Sequence, residues 1–224
     1  MAIENRRPIK ARSIGSIQRF AKWLAKTSVT PNQISVCSVV FSLLVPLAFW
    51  FFASGTWAAS IFALLGIQLR LMCNLLDGMV AIEGAKKSLL GDIYNEFPDR
   101  IADTAILMGV ALIAPSDSTL LVLAITASFL AVMTAYTRVL GAAVGTKHYF
   151  SGPMAKQHRM AILSGTVVAL PLLSGYIEPS SLMKIALSII CLGCVATVIR
   201  RLRQVSRELL AKVVGIPQAC PADR

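Results

Sequence analysis

Charge is what this chain has least of. Only 15% of its 224 residues are Asp, Glu, Lys or Arg, against 56% hydrophobic, and a water-dispersed domain of that length needs far more polar surface. Cysteine supplies no framework: Cys37, Cys73, Cys191, Cys194 and Cys220 show no pairing pattern, and three of the five lie in apolar runs. Cys191 and Cys194 have C-x-x-C spacing, but within an apolar helix and with no histidine nearby they read as small packing residues. A cleavable signal also reads as absent, because residues 1–26 hold seven Lys or Arg and no apolar centre.

What the chain does have is a succession of apolar runs of 18 or more residues, for which a bilayer is the natural solvent. Six helical spans can be read: Thr30-Pro31 to about Ala53, Trp57 to Glu83, Gly91 to just before Pro115, Ser118 to Val144, Arg159 to Leu173, and Ser181 to Arg201. Thr30 is an N-cap followed by proline at the first helical position. Ahead of the first span, Ile14, Ile17, Phe20 and Leu24 recur at helical spacing with Arg19, Lys22 and Lys26 between them. That pattern suits an amphipathic helix in the headgroup layer, a disordered basic tail being the alternative. The expected fold is therefore all-α: a polytopic membrane protein of six transmembrane helices preceded by an amphipathic interfacial helix. Residues 1–28 form the basic juxtamembrane segment, 29–204 the six-helix membrane domain and 205–224 a cytoplasmic tail.

The net charge of +11 suggests nucleic acid, but its distribution points elsewhere. Basic residues gather at the N-terminus, at Lys86 and Lys87, at Lys147, Lys156 and Arg159, and after the sixth span. The loops between these hold only Lys184. Such asymmetry puts both termini and the basic loops in the cytoplasm, with the inner membrane as location and anionic lipid headgroups, not nucleic acid, as partner.

A carboxylate in hydrocarbon costs roughly 2.5–3.5 kcal/mol on insertion scales, so intramembrane polar residues are functional candidates. Arg70, Asn74, Asp77 and Ala81 fall on one face of the second span. In the third, Asn95, Asp99 and Asp103 stack at intervals of four, with Asp92 and Glu96 beside them. The short 84–90 connection makes these helices antiparallel neighbours, and facing oxygen-bearing stripes make a hard cage for Mg²⁺ or a similar ion. Helix-end polarity alone would account for Glu83 and Asp92, but not for Asn74 or Asp99, which lie further in. Gly78, Ala81 and Gly91 leave room for close backbone or ligand approach.

Asn74-x-x-Asp77-Gly78-x-x-Ala81 followed by Gly91-x-x-x-Asn95-x-x-x-Asp99 resembles the signature of the CDP-alcohol phosphotransferases, D-x-x-D-G-x-x-A-R and then G-x-x-x-D-x-x-x-D. The Thr30-Pro31-Asn32 entry and the six-span layout also resemble that family. The chain departs from it at Asn74 and Asn95, where the family has aspartates, and at Ile82, where it has arginine. Glu83, Glu96 or Asp103 would restore charge, and Arg70 or Lys86 would replace the arginine.

The resemblance implies that Asn74, Asp77, Asn95, Asp99 and Glu96 hold Mg²⁺ or Mn²⁺, the number of ions being open, with Asp99 as base. It implies Arg70, Gly78, Ala81, Gly91, Arg138, Lys156 and Arg159 as substrate-binding residues. A CDP-linked lipid such as CDP-diacylglycerol would donate its substituted phosphate to a small polar alcohol, releasing CMP, in a homodimeric enzyme. For Lys156 and Arg159 the plainer alternative is ordinary positive-inside loop charge. Two other functions stay open: a homologue that binds CDP-lipid or metal without turnover, and a transporter. The last is ranked lowest, because polar residues thin out beyond Arg70 and Asp103 rather than crossing the bilayer.

Overall fold

The structure, a computed structural model, describes residues 15–84, 86 and 89–214. Ile14, Lys87 and Cys220, all used above, lie outside the described residues. Within them the chain is all helix: α1 (Gly15–Ala25), α2 (Pro31–Ser42), α3 (Leu44–Phe51), α4 (Trp57–Glu83), α5 (Gly91–Gly109) with a 3-10 turn at Val110–Ile113, α6 (Ser118–Ala143), α7 (Lys156–Leu173) and α8 (Pro179–Val214).

The helix starts follow from their caps. Thr30 Oγ1 accepts from the Gln33 N–H at 3.3 Å, and the Thr30 N–H donates to Gln33 Oε1 at 2.9 Å, a reciprocal capping box. Thr56 caps α4 and Asp117 caps α6. Asp117 also accepts from Lys184 of α8 at 2.9 Å, and this lysine, with the Leu120 N–H, holds its carboxyl below the usual range.

The first span is not one helix. Pro46 has no N–H to give the Ser42 carbonyl four residues back, and its ring crowds that oxygen. The chain accordingly breaks at Leu43, whose N–H turns to Val40 O at 3.2 Å. The resulting elbow packs between α4 and α5 at two glycines. A Cβ on Gly66 would stand 2.9 Å from Phe41 O, and one on Gly109 would stand 2.8 Å from Pro46 N.

Among the described residues, four stretches are long and apolar enough to cross a membrane: Pro31–Phe51 across the elbow, α4, α6 and Pro179–Val213 of α8. The third and fifth expected spans, α5 and α7, fall short of that measure because α5 carries Asp92, Glu96, Asp99, Arg100 and Asp103 and α7 opens on Lys-Gln-His-Arg. Both nevertheless pack into the bundle, and small residues such as Ala59, Ala63, Ala124, Ala127 and Ala131 let its helices approach closely. Outward faces carry Val40, Trp50, Phe129 and Leu192 in the open, as a lipid-facing surface does. In α1, Ile17, Ala21 and Leu24 pack against Leu75, Leu76, Met79 and Val80 of α4, whereas Phe20 and Trp23 stack on each other outside. The sixth span, expected to end near Arg201, continues helically to Val214.

Replacing Gly66 or Gly109 by alanine forces backbone apart at the elbow and is expected to cost about 1–3 kcal/mol, as overpacking does. A lowered midpoint of heat unfolding in detergent checks this. Gly91→Ala, with nothing within 4 Å of the added methyl, should leave the midpoint unchanged.

Candidate active site

Polar side chains meet at one end of the bundle in layers. The deepest is a buried triad. Asp103 of α5, 1% exposed, accepts from Arg70 of α4 at 2.5 Å and from Arg159 of α7 at 2.8 Å, and these arginines are 0% and 1% exposed. Arg159 donates as well to Thr134 Oγ1 at 3.2 Å and Met154 O at 3.1 Å. Arg70 Nε and Nη1 and Arg159 Nε are buried without a hydrogen-bond partner among the described residues.

One turn outward, Lys156, the first residue of α7, places its ammonium between α4 and α5. It donates to Asn74 Oδ1 and, at 2.5 Å, to Asp99 Oδ2. Arg70 Nη2 approaches the other Asp99 oxygen at 3.5 Å, and Arg100 Nη2 lies 3.7 Å from Oδ2. Asn74 does two things here that an aspartate cannot combine. Its Nδ2 donates to Arg70 O at 3.0 Å, which turns Oδ1 toward Lys156; a carboxylate has no proton to give that carbonyl.

At the rim, Arg138 of α6 donates to Glu96 at 2.6 Å, Arg100 lies 3.4 Å from the same carboxylate, and the Arg138 guanidinium sits 5.4 Å above the Phe150 ring. Asp77 shares the α4 face of Asn74 but turns to α2, accepting from Ser35 Oγ at 2.7 Å and from the Gly78 N–H at 2.5 Å.

Arg70, Asn74, Asp99, Lys156 and Arg159 thus join one network with Asp103. Glu96 and Arg138 pair with each other beside it, and Asp77 lies next to it. Asn95 is exposed on α5, while Gly78, Ala81 and Gly91 are half-buried. Of the two stand-ins for the family arginine, Arg70 is in the triad, whereas Lys86 donates to Thr27 O at 2.6 Å and Val29 O at 3.2 Å, tying the α4–α5 connection to the α1–α2 corner. Sequence reasoning passed over Arg100 and Ser35, and gave Asp103 a place on a stripe and a share in restoring charge but not the buried pairing with two arginines. Arg100 had a signal, standing four residues after Glu96 in a charged run; Ser35 had none short of the tertiary contact. Five basic side chains here share three carboxylates, Glu96, Asp99 and Asp103, which favours an anionic ligand.

Comparison with known proteins bears on the family and the fold. The sequence pattern of the CDP-alcohol phosphatidyltransferase family matches residues 28–207. The inner membrane protein YnbA of Escherichia coli K12 is 30% identical over 185 residues, which is 82% of this chain and 87% of that protein. An archaetidylinositol phosphate synthase of Pyrococcus horikoshii is 31% identical over 96 residues, 43% of this chain and 48% of that one. Among solved structures, the phosphatidylinositol phosphate synthase of Mycobacterium tuberculosis with CDP-DAG bound has a TM-score of 0.63 at 18% identity, covering 84% of this chain and 92% of that one. The same enzyme with manganese and citrate gives 0.64 at 19% identity, covering 84% and 88%; at such identities the likeness speaks for the fold. The chain belongs to the CDP-alcohol phosphatidyltransferase family. By family it is a membrane transferase of phospholipid biosynthesis.

Asp103→Asn would leave the buried Arg159 guanidinium without a counter-charge and Arg70 with Asp99 alone at 3.5 Å, a change expected to cost about 3–5 kcal/mol. Glu96→Gln, at the partly exposed rim, should cost no more than about 1 kcal/mol. Heat unfolding of the two variants in detergent checks the difference; an Asp103→Asn protein as stable as wild type would remove the triad's structural role.

Proposed function

We propose that this protein transfers the substituted phosphate of a CDP-linked lipid such as CDP-diacylglycerol to the hydroxyl of a small alcohol, releasing CMP. The observation that carries this reading is Lys156. Its ammonium reaches from α7 onto Asn74 and Asp99, two positions of the family motif, at the mouth of a basic, partly buried cluster. In this reading α5 and α7 complete six spans, α1 lies in the interface with Phe20 and Trp23 outward, and both termini and the site face the cytoplasm. Residues 1–28, 29–204 and 205–224 keep the divisions expected above, and the protein works as a homodimer.

The chemistry follows from the chain's own groups. Arg138, Lys156 and Arg159 receive the pyrophosphate, arginine by its two-pronged geometry and lysine as a point charge. In the structure Asp99 Oδ2 is bonded to Lys156. Drawing the ammonium onto a substrate phosphate releases that oxygen, so donor binding readies the base. Asp99 then accepts the proton of the acceptor hydroxyl. The acceptor oxygen bonds to the phosphorus that carries the lipid, the bond from that phosphorus to the oxygen bridging it to CMP breaks, and CMP leaves with the electron pair. Gly78, Ala81 and Gly91 keep the approach open.

The oxygens of Asn74 and Asp99 already converge on a cation, the lysine ammonium, so the donor chemistry suits a hard divalent ion. Among the described residues no three His, Cys, Asp or Glu side chains are grouped as a metal site, so Asn74 would hold Mg²⁺ or Mn²⁺ together with Asp77 and Asp99, with Asn95 and Glu96 on the neighbouring turn of α5. When bound, such an ion neutralises charge on the phosphoryl oxygens. A second reading, binding without turnover, is favoured by one observation: Asp99 is already engaged by Lys156, Arg70 and Arg100.

Purified protein given CDP-diacylglycerol and a panel of alcohols should release CMP, and Asp99→Asn should cut the rate by about 10²–10⁴-fold, the usual worth of a general base. CDP binding with no CMP release for any acceptor would establish the second reading, and absence of both would remove the transferase reading. Lys156→Met is expected to tighten Mn²⁺ binding in titration calorimetry, since it removes a competing cation. If neither wild type nor variant binds Mn²⁺ or Mg²⁺ with CDP present, the metal assignment fails.

A further inference from the structure

The last turns of α8 run past the length a bilayer requires, yet one side of them is polar and covered. Thr197, Arg201, Gln204, Glu208 and Lys212 recur every three or four residues, which aligns them on one face. That face grips residues 144–155, the segment joining α6 to α7, at points along its length. Thr197 Oγ1 accepts from the Met154 N–H at 2.9 Å, and Arg201 Nε donates to Ser151 O at 3.0 Å. Gln204 Oε1 accepts from Ser151 Oγ at 2.5 Å. Glu208 Oε2 accepts from Tyr149 Oη at 2.6 Å and from the Lys147 N–H at 3.2 Å, while Lys212 holds the other carboxylate oxygen at 3.1 Å. The fit is close: a Cβ on Gly193 would lie 2.9 Å from Met154 Cβ, and one on Gly152, at φ +136, would lie 2.9 Å from Thr197 Oγ1.

Two basic site residues are hung from the gripped segment, and a third rests on it. It ends on Ala155, the N-cap of α7, so Lys156 and Arg159 are in the very next turn. Arg159 donates to Met154 O at 3.1 Å, one residue from the N–H that Thr197 holds. Phe150 lies beneath the Arg138 guanidinium at 5.4 Å. Glu208 is 6% exposed and lies just beyond the 28–207 stretch that the family pattern matches. Burial and the neighbouring Glu208 carboxylate push the Tyr149 phenol up to about 12, so it remains a donor at any physiological pH.

We propose that Tyr149 and Glu208 are positioning residues: their bond clamps the 144–155 segment to the end of α8 and so sets where Arg138, Lys156 and Arg159 stand to receive the donor's phosphates. The catalytic consequence rests on the transferase reading above; the clamp itself does not.

The test compares Glu208→Ala and Tyr149→Phe with Glu208→Gln, which keeps an acceptor for both the phenol and the Lys147 N–H. Hydrogen exchange of residues 156–160 should quicken roughly tenfold in the first two and stay near wild type in the third, the scale expected for losing a hydrogen bond to a charged group. The KM for CDP-diacylglycerol should rise roughly tenfold in the same two variants, whereas mere loss of folded protein lowers the total rate and leaves KM alone. Unchanged exchange at 156–160 overturns the clamp whatever the activity. Altered exchange with unchanged KM in an active protein overturns its positioning role. If wild type releases no CMP, the transferase reading falls and the exchange comparison still decides the clamp.

Discussion

Two guanidinium groups, Arg70 and Arg159, lie fully out of water between apolar helices, and the carboxylate of Asp103 is what makes that arrangement bearable. Charges so placed are costly unless compensated, and here the compensating group links α4, α5 and α7 at one point. Everything nearer the surface inherits its register from that point. Asn74 is one turn along α4 from Arg70, Asp99 one turn back along α5 from Asp103, and Lys156 three residues before Arg159. Once the buried triad is closed, the three outer groups have nowhere to meet but where they do. The innermost carboxylate orders the helices, and its neighbour one turn outward meets the Lys156 ammonium.

The asparagine at 74 belongs to the same logic. Removing a negative charge from a metal-binding motif looks like a loss of function, but the amide gains an N–H. That N–H anchors the side chain to Arg70 O and fixes the direction of its oxygen. The site then carries its own cation in Lys156, in a network where basic groups outnumber acidic ones.

Much of this was legible in the chain itself. Apolar run lengths placed α4 and α6 within a residue, and helical spacing alone put Asn74 and Asp99 on facing stripes. The elbow at Leu43 was written in Pro46, but apolar residues continue across it and mask the break. The extent of α8 was not legible, because a helix face of Arg, Gln, Glu and Lys looks the same whether it meets water or the backbone of a distant loop. Asp103 differed from its neighbours only by depth, and depth depends on which helices close over it; Ser35 carried no local signature at all. Lys86 illustrates the opposite error: a lysine beside an acidic motif suggests phosphate, while two backbone carbonyls 57 and 59 residues away claim its ammonium.

The division of the triad among helices also bears on how the chain reaches its membrane. Arg70 and Asp103 are 33 residues apart on successive helices, whereas Arg159 arrives 56 residues after Asp103. An unpaired arginine at that depth is a burden on insertion of about 2.5–3.5 kcal/mol, so α4 and α5 are best delivered as a hairpin with their charges already joined. Asp103 then waits, satisfied by one arginine, until α7 brings the second. Assembly would in this way carry its own checkpoint: the helix that completes the buried pairing is the one that carries Lys156 onto Asn74 and Asp99, so a half-assembled chain lacks that contact as well.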